Sequence, residues 1–194
     1  MIYLVRHGQT AFNRDGRLQG HLDSDLTELG LTQARRAGAT LRRLVSEAGD
    51  TGGWRLVSSP LGRARATADE IAAALGDVTV EADPRLIEVS FGAWDGRLRS
   101  ELQAQYPGTF GASGFKFNAP ASEPYDQVVA RLSAWLADLE PEGARRVIAV
   151  SHGVSGRVLR GLYAGLARDD ALALEVPQDA VFRLSGGRIE RIDC

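Results

Sequence analysis

The sequence is poor in several residues that carry chemistry in other proteins. One cysteine, Cys194, stands among 194 residues, so the chain can build neither an internal disulfide nor a thiolate metal centre. No apolar run approaches the roughly 20 residues that a bilayer-spanning helix needs. The first residues also lack the basic stretch, apolar core and cleavage site of a secretory leader. The expectation is a soluble, cytoplasmic protein with no cofactor and no metal. Excess positive charge is missing too. The 23 Lys and Arg against 25 Asp and Glu leave a formal net charge of -2, which argues against general affinity for nucleic acid or an anionic membrane. Lys116 is the only lysine, so local positive charge falls to arginine, whose planar fork suits carboxylate and phosphate. Histidine is scarce as well, with His7, His21 and His152 alone.

What is present fits one layered domain spanning residues 1–194. A 44% hydrophobic content is enough to fill a single core. Residues 2–5 and 147–150 are apolar at every position, which fits central parallel strands covered on both faces. Further strands are expected at 55–58 and 78–80. Near the end, 181–184 and 188–192 flank Ser185-Gly186-Gly187 as a hairpin. Helical stripes alternate with these strands. Leu31, Ala34, Gly38, Leu41 and Val45 follow Thr27 as N-cap. Ser59-Pro60 reads as a helix start leading to Ala64, Ala68, Ile71 and Leu75. Another helix is expected from Ser122, burying Val128, Val129, Leu132, Leu136 and Leu139, and a last one follows His152. Gly49 to Gly53 reads as a loop. The expected fold is an α/β three-layer sandwich: about six strands, mostly parallel, with helices on both faces and a C-terminal antiparallel hairpin.

Two histidines follow the fully apolar strands, as Arg6-His7-Gly8 and Ser151-His152-Gly153. Open α/β sheets bind ligands beyond such strand ends. The first tripeptide alone fits equally a nucleophile for an anionic electrophile and a packed, hydrogen-bonded histidine. The second favours an anion, because its amides, including that of Gly153, open a helix. Arg63 follows a third strand; in isolation it would read as a surface arginine. Together Arg6, His7, Arg63 and His152 form a cluster with little structural purpose unless an anion binds. Glu88 lies between Pro84-Arg85-Leu86-Ile87 and Phe91-Gly92-Ala93-Trp94. Alone it reads as a surface acid. A partly apolar pocket there is expected to raise its pKa and let it protonate a leaving oxygen, with Asp95 a lesser candidate.

Five ordered segments then carry a resemblance to the histidine phosphatase superfamily: LVRHGQTAFN at 4–13, GRLQGHLDSDLTELGLTQA at 16–34, SSPLGRARATA at 58–68, LIEVSFGAWDG at 86–96 and VIAVSHG at 147–153. The resemblance implies that His7 accepts the phosphoryl group and that Arg6, Arg63 and His152 hold its oxygens. It also implies that Glu88 donates the proton, that Asn13 is a further phosphate ligand, and that Gln19 and Gly20 border the pocket. The implied substrate is a small phosphorylated metabolite. Two departures stand out. Asp25 takes a position where family members often have proline, and Pro120-Ala121-Ser122-Glu123-Pro124 replaces a common Gly-Gly-Glu-Ser.

The short segment from Gly96 to Ser122 and the run EVSFGAWDG resemble the phosphatase branch more than the mutases. A metal-independent phosphomonoesterase is therefore expected, ahead of a phosphoglycerate mutase-type isomerase and an idle phosphate-binding module. Tyr106, Phe110, Phe115, Lys116, Phe117 and Tyr125 could form a lid with Lys116 facing a second anionic group. The plainer expectation, an ordinary loop with Lys116 in solvent, is preferred. His21 is expected at the rim in a structural role. Homo-oligomerisation is left open.

Overall fold

A computed structural model describes residues 1–49, 53–76, 78–110 and 114–194. Four strands run parallel: β1 (Ile2–Arg6), β2 (Arg55–Ser58), β3 (Val80–Ala82) and β4 (Val147–Ser151). β5 (Ala180–Ser185) pairs antiparallel with β1, and β6 (Arg188–Asp193) pairs antiparallel with β5. The sheet order is β3-β2-β4-β1-β5-β6. The hairpin forms as expected. Gly186 and Gly187 have φ of 57° and 71°, the two positive values that a two-residue type I′ connection needs between Ser185 and its register partner Arg188.

Alternation along β1 explains the three layers. Ile2 and Leu4 face a core that also holds Leu132, Trp135, Leu159 and Phe182. Tyr3 and Val5 face a second core with Leu41, Ile71 and Ala68. The first core is covered by α5 (Tyr125–Ala137) and α6 (Gly153–Ala164), the second by α2 (Glu28–Glu47) and α3 (Gly62–Leu75). Both faces of the central strands are therefore buried, which is why their sequences are apolar at every position. Three shorter helices, α1 (Ala11–Arg14), α4 (Arg99–Gln105) and α7 (Arg168–Ala173), carry too few residues for a periodic signal and were not anticipated. No helix among the described residues is long and apolar enough to cross a membrane.

Several boundaries differ from expectation, each for a local reason. The third strand runs two residues later than 78–80. α5 begins at Tyr125, after Pro124 as N-cap, so Ser122 lies outside it, and Val129, Leu136 and Leu139 are only partly buried. α3 starts at Gly62 rather than at Pro60, because its cap comes from elsewhere. Leu61 supplies no capping side chain, and the carboxylate of Asp23 accepts from the N–H groups of Gly62 and Arg63 instead. A cap delivered across 39 residues of chain leaves no local signature. The loop expected at 49–53 falls largely outside the described residues.

The departure at 120–124 has a structural consequence. Ala121 has a φ of 58° and is the only non-glycine among the described residues with a positive value. An L-residue there costs about 1–2 kcal/mol. Ala121→Gly relieves that cost but releases about 0.4–1 kcal/mol of unfolded-chain entropy. The balance predicts a stabilisation of about 0.5–1 kcal/mol, read as a higher urea midpoint with an unchanged m-value.

Candidate active site

Three parallel strands end at one edge, and each hands a polar side chain to the same place. His7 follows β1, Ser59 follows β2 and His152 follows β4. The His7 and His152 rings lie 5.1 Å apart between centroids, and both residues are buried. A cleft of about 80 Å3 opens beside them. That volume holds a group the size of a phosphoryl and falls well short of the ~300–1,000 Å3 of pockets that engulf a whole drug-sized ligand.

His7 has a defined tautomer. Its Nδ1 lies 2.8 Å from the Gly8 carbonyl oxygen, which can only accept, so Nδ1 carries the proton. Nε2 is then a lone-pair acceptor, and Arg63 Nε donates to it at 3.3 Å. Burial, followed by the neighbouring His152, Arg6 and Arg63, holds the His7 pKa well below the ordinary 6.5, so the ring is neutral at pH 7. Gly8 cannot be replaced without moving this loop: a Cβ there would sit 2.3 Å from the Gly30 carbonyl oxygen. The Gly8 N–H donates to Thr67 Oγ1, whose hydroxyl donates to the Arg63 carbonyl.

His152 is similarly fixed. Its Nε2 lies 2.7 Å from Ser59 Oγ, which already accepts from the Leu61 N–H. A hydroxyl oxygen can accept twice, so that bond alone does not fix the ring, but the Ser59 hydroxyl proton has no other acceptor among the described residues, and its donation to Nε2 puts the His152 proton on Nδ1. Nδ1 and Arg6 Nε are buried and unpartnered among the described residues. Two orphaned donors beside one cleft are the mark of an anion site, since buried polar groups are otherwise satisfied. Burial first, then Arg63 and Arg6, lowers the His152 pKa well below 6.5.

The guanidiniums are held mainly by carbonyl oxygens, with one carboxylate, Asp23, on Arg63. Arg63 donates to the carbonyls of Leu22 at 2.8 Å and Gly20 at 2.7 Å, and to Asp23 Oδ1 at 2.9 Å. Arg6 donates to Val176, and Arg157 to Leu174. Burial pulls Arg6 down to about 10, still charged at any working pH. Arg6, Arg17, Arg63, Lys116 and Arg157 line the cleft against a single carboxylate, Glu88. The chain's near-neutral total thus hides a strongly positive site.

Glu88 corrects one expectation. Its carboxylate does not sit in apolar surroundings. It accepts from the N–H groups of Val154 at 3.1 Å, Ser155 at 2.9 Å and Val89 at 3.0 Å, and from Ser155 Oγ at 3.1 Å. Two of those amides open α6, whose positive end favours an anion. Burial pushes the Glu88 pKa up, but Lys116 and these backbone donors outweigh it and leave the group below its usual range. Lys116 corrects another. It is half-buried in the cleft wall, not in solvent, with its ammonium 5.2 Å from the Phe91 ring centre and 5.8 Å from that of Phe115.

Other expected residues fall as follows. Gln19, Gly20, Asn13 and Gly153 all line the cleft. Asn13 also closes a capping box with Thr10 at the start of α1, and Gln19 Oε1 accepts from Thr10 Oγ1 at 3.0 Å. Gly20 has a φ of 51° and no room for a side chain, since a Cβ would lie 1.8 Å from Asp95. Asp95 is not among the cleft residues; it accepts from the Phe91 N–H at 3.0 Å and shapes the loop. His21 has the structural role expected, donating from Nε2 to the Glu88 carbonyl at 2.8 Å. Tyr106 and Phe110, weighed as lid residues but expected in an ordinary loop, pack on Trp94, while residues 111–113 lie outside the described residues. Three contributors were missed. Asp23 fastens Arg63 and caps α3. Arg157 lies one turn into α6. Gln178 Nε2 donates to the His7 carbonyl at 3.1 Å and to Asn13 Oδ1 at 2.9 Å. For Arg157 the helical spacing from His152 was the available signal; Gln178 had none.

A six-stranded α/β sandwich with a phosphoryl-sized basic cleft at its parallel strand ends, entered by a neutral imidazole, defines the class: a domain built to handle phosphoryl groups. The sequence profile of the histidine phosphatase superfamily (branch 1) matches residues 2–189, and the chain belongs to that family. It is 34% identical to a probable phosphoglycerate mutase, GpmB, of Enterobacter sp. (strain 638), over 99% of this chain and 84% of that protein. It is 31% identical to a putative phosphoserine phosphatase 2 of Hydrogenobacter thermophilus, over 87% and 81%. A solved mycobacterial glucosyl-3-phosphoglycerate phosphatase in complex with VO3 superposes with a TM-score of 0.77 at 29% identity, covering 94% of this chain and 90% of that one.

Buried neutral histidines leave a pH signature. Below about pH 6.5 the unfolded chain binds protons at His7 and His152 that the folded site refuses, so stability falls as pH drops from 7 toward 5. In urea titrations at a series of pH values, His152→Gln should show a shallower fall over that window than the wild type. An unchanged slope would contradict the neutral state assigned to His152.

Proposed function

We propose that the protein is a phosphomonoester hydrolase that works through a phosphohistidine on His7 and needs no metal. The observation that carries this reading is the fixed tautomer of His7: Nδ1 is committed to the Gly8 carbonyl, so the neutral ring carries its lone pair on Nε2, where Arg63 Nε donates to it until a phosphoryl oxygen takes that donor over. Phosphate monoesters hydrolyse extremely slowly unaided, and a nitrogen nucleophile divides the reaction into two easier displacements.

In the first step Nε2 attacks phosphorus, a P–N bond forms, and the P–O bond to the leaving alcohol breaks. Arg6 Nε, His152 Nδ1 and Arg63 are the donors placed to bind the phosphoryl oxygens and to spread their charge in the transition state. In this reading the two arginines supply the positive charge that metal ions provide in other phosphoryl-transfer sites, and the neutral His152 adds a hydrogen-bond donor. Asn13, Gln19, Gly20 and Gly153 border the bound group. Glu88 gives the leaving oxygen its proton. In the second step the Glu88 carboxylate takes a proton from water, which attacks the phosphohistidine and releases inorganic phosphate.

The empty-handed state of Glu88 is the carboxylate, so its proton must arrive with the substrate. A phosphate ester entering beside Glu88 brings negative charge that raises the carboxyl pKa and engages the surrounding cations. Either the ester enters as its monoanion or the complex takes up a proton. Both routes favour activity on the acid side of neutrality.

The small cleft encloses the phosphoryl group and little else, which supports hydrolysis over mutase chemistry: an intermediate that must turn round without escaping needs more enclosed space. Incubation with 3-phosphoglycerate and bisphosphoglycerate should release inorganic phosphate faster than it forms the 2-isomer, and chelator should leave the rate unchanged. Dominant isomerisation would overturn the hydrolase assignment.

The nucleophile and the acid make separate predictions. Rapid quench with a radiolabelled phosphate ester should trap acid-labile, base-stable protein label that vanishes in His7→Ala, and robust turnover by that variant would falsify the assignment. Glu88→Gln should slow alkyl phosphates about 100- to 10,000-fold and slow the P–O cleavage burst of nitrophenyl phosphate far less, because only the alkoxide requires a proton to leave.

A further inference from the structure

Among the cleft cations, Lys116 differs in how it is held. Arg6, Arg17, Arg63 and Arg157 each donate to backbone carbonyls. Lys116 has no hydrogen bond or ion pair among the described residues. Its ammonium rests near the faces of Phe91 and Phe115, contacts that let a charge slide. It projects from a short turn, Phe115–Asn118, on a four-carbon stem with free torsions.

Glu88 is the opposite case. Four donors from Val89, Val154 and Ser155 hold both of its oxygens, so the carboxylate cannot follow a moving partner. The charged groups that face it are Lys116, Arg6, Arg63 and Arg157, while His7 and His152 are neutral. The three arginines are pinned. Only Lys116 can change the field at Glu88 by moving.

We infer that Lys116 is a positioning residue that couples the charge of the leaving group to the protonation of Glu88. A second anionic group on the leaving alcohol draws the ammonium farther from Glu88, and Glu88 takes up from solvent the proton that it then passes to the leaving oxygen. The matching substrates are phosphate esters of alcohols that carry a carboxylate or a second phosphate. The inference rests on the phosphohistidine reading above.

Electrostatics agree with this geometry. Burial, opposed by Glu88 and reinforced by Arg6, Arg157 and Arg99, brings Lys116 down to about 8, so it remains charged at neutral pH. Burial raises the Glu88 pKa, and Lys116 is the leading charge that lowers it. Removing the lysine charge therefore raises the Glu88 midpoint.

Two measurements test this. In the unliganded protein, carbon-13 NMR of the glutamate carboxyls, with the Glu88 signal assigned by its loss in Glu88→Gln, should show a midpoint higher by about half a unit or more in Lys116→Met. Lys116→Arg should restore the wild-type midpoint. In kinetics, 3-phosphoglycerate and glycerol 3-phosphate differ in one carboxylate, and the ratio of their kcat/KM values should fall about tenfold in Lys116→Met and recover in Lys116→Arg. A Glu88 midpoint that stays put, or a substrate ratio that does, overturns the coupling. The NMR titration needs no turnover, so it stands apart from the trapping experiment: loss of His7 labelling would sink the phosphohistidine reading whatever Lys116 does.

Discussion

The structure depends on keeping uncompensated positive charge at a desolvated sheet edge. Arg6, Arg63 and Arg157 converge there beside Lys116 and two histidines, with Glu88 the sole cleft carboxylate. Bringing like charges together out of water is costly, and pairing each with its own carboxylate would cancel the field that a phosphoryl group needs. Apart from Asp23 on Arg63, the fold uses peptide dipoles instead. The carbonyls of Gly20 and Leu22 hold Arg63, and those of Leu174, Glu175 and Val176 hold Arg157, Arg160 and Arg6 in succession. The guanidiniums keep their charge while their orientation is fixed. The loop after α1 and the strap before β5 can thus be understood as scaffolding for cations.

The same logic governs the two imidazoles. Positive neighbours and burial make protonation unfavourable, so His7 and His152 stay neutral without any carboxylate to hold them. Each then commits one nitrogen to the scaffold, His7 to a carbonyl and His152 to a serine hydroxyl, and keeps the other for the cleft. Both rings carry the proton on Nδ1, yet they use it oppositely: His7 spends its donor on the scaffold and His152 its acceptor. Glu88 completes the pattern: the N-terminus of α6 grips it as a carboxylate, so in the proposed hydrolysis its role as an acid depends on charge that enters with the substrate.

Much of this was readable from the chain. Apolar runs at 2–5 and 147–150 marked the central strands because burial on both faces leaves no polar position, and Gly186-Gly187 marked the hairpin because only glycine tolerates both turn conformations. Arg6, His7, Arg63 and His152 were visible as strand-end chemistry and Glu88 as a loop acid; Arg6, His7, Arg63 and Glu88 line one cleft, and His152 stands 5.1 Å from His7. Expectations failed where distant chain segments met. The start of α3 was placed two residues early because its cap, Asp23, comes from another loop. The Glu88 pKa was expected to rise because its apolar neighbours in sequence were visible and the α6 amides were not. Lys116 was expected in solvent because a lone lysine in a variable segment carries no sign of the rings beneath it.

By itself the sequence determined the family, the order of the strands and the long helices, and most of the polar side chains that gather at the cleft, since these follow from local pattern and from residue types that few chemistries share. Only the tertiary structure decided the protonation states, the tautomers and the company each charge keeps. Those depend on dielectric surroundings and on hydrogen-bond partners within about 3 Å, and apart from the Gly8 carbonyl beside His7 the deciding partners are distant in sequence, as with Ser59, 93 residues from His152, and Val154, 66 residues from Glu88.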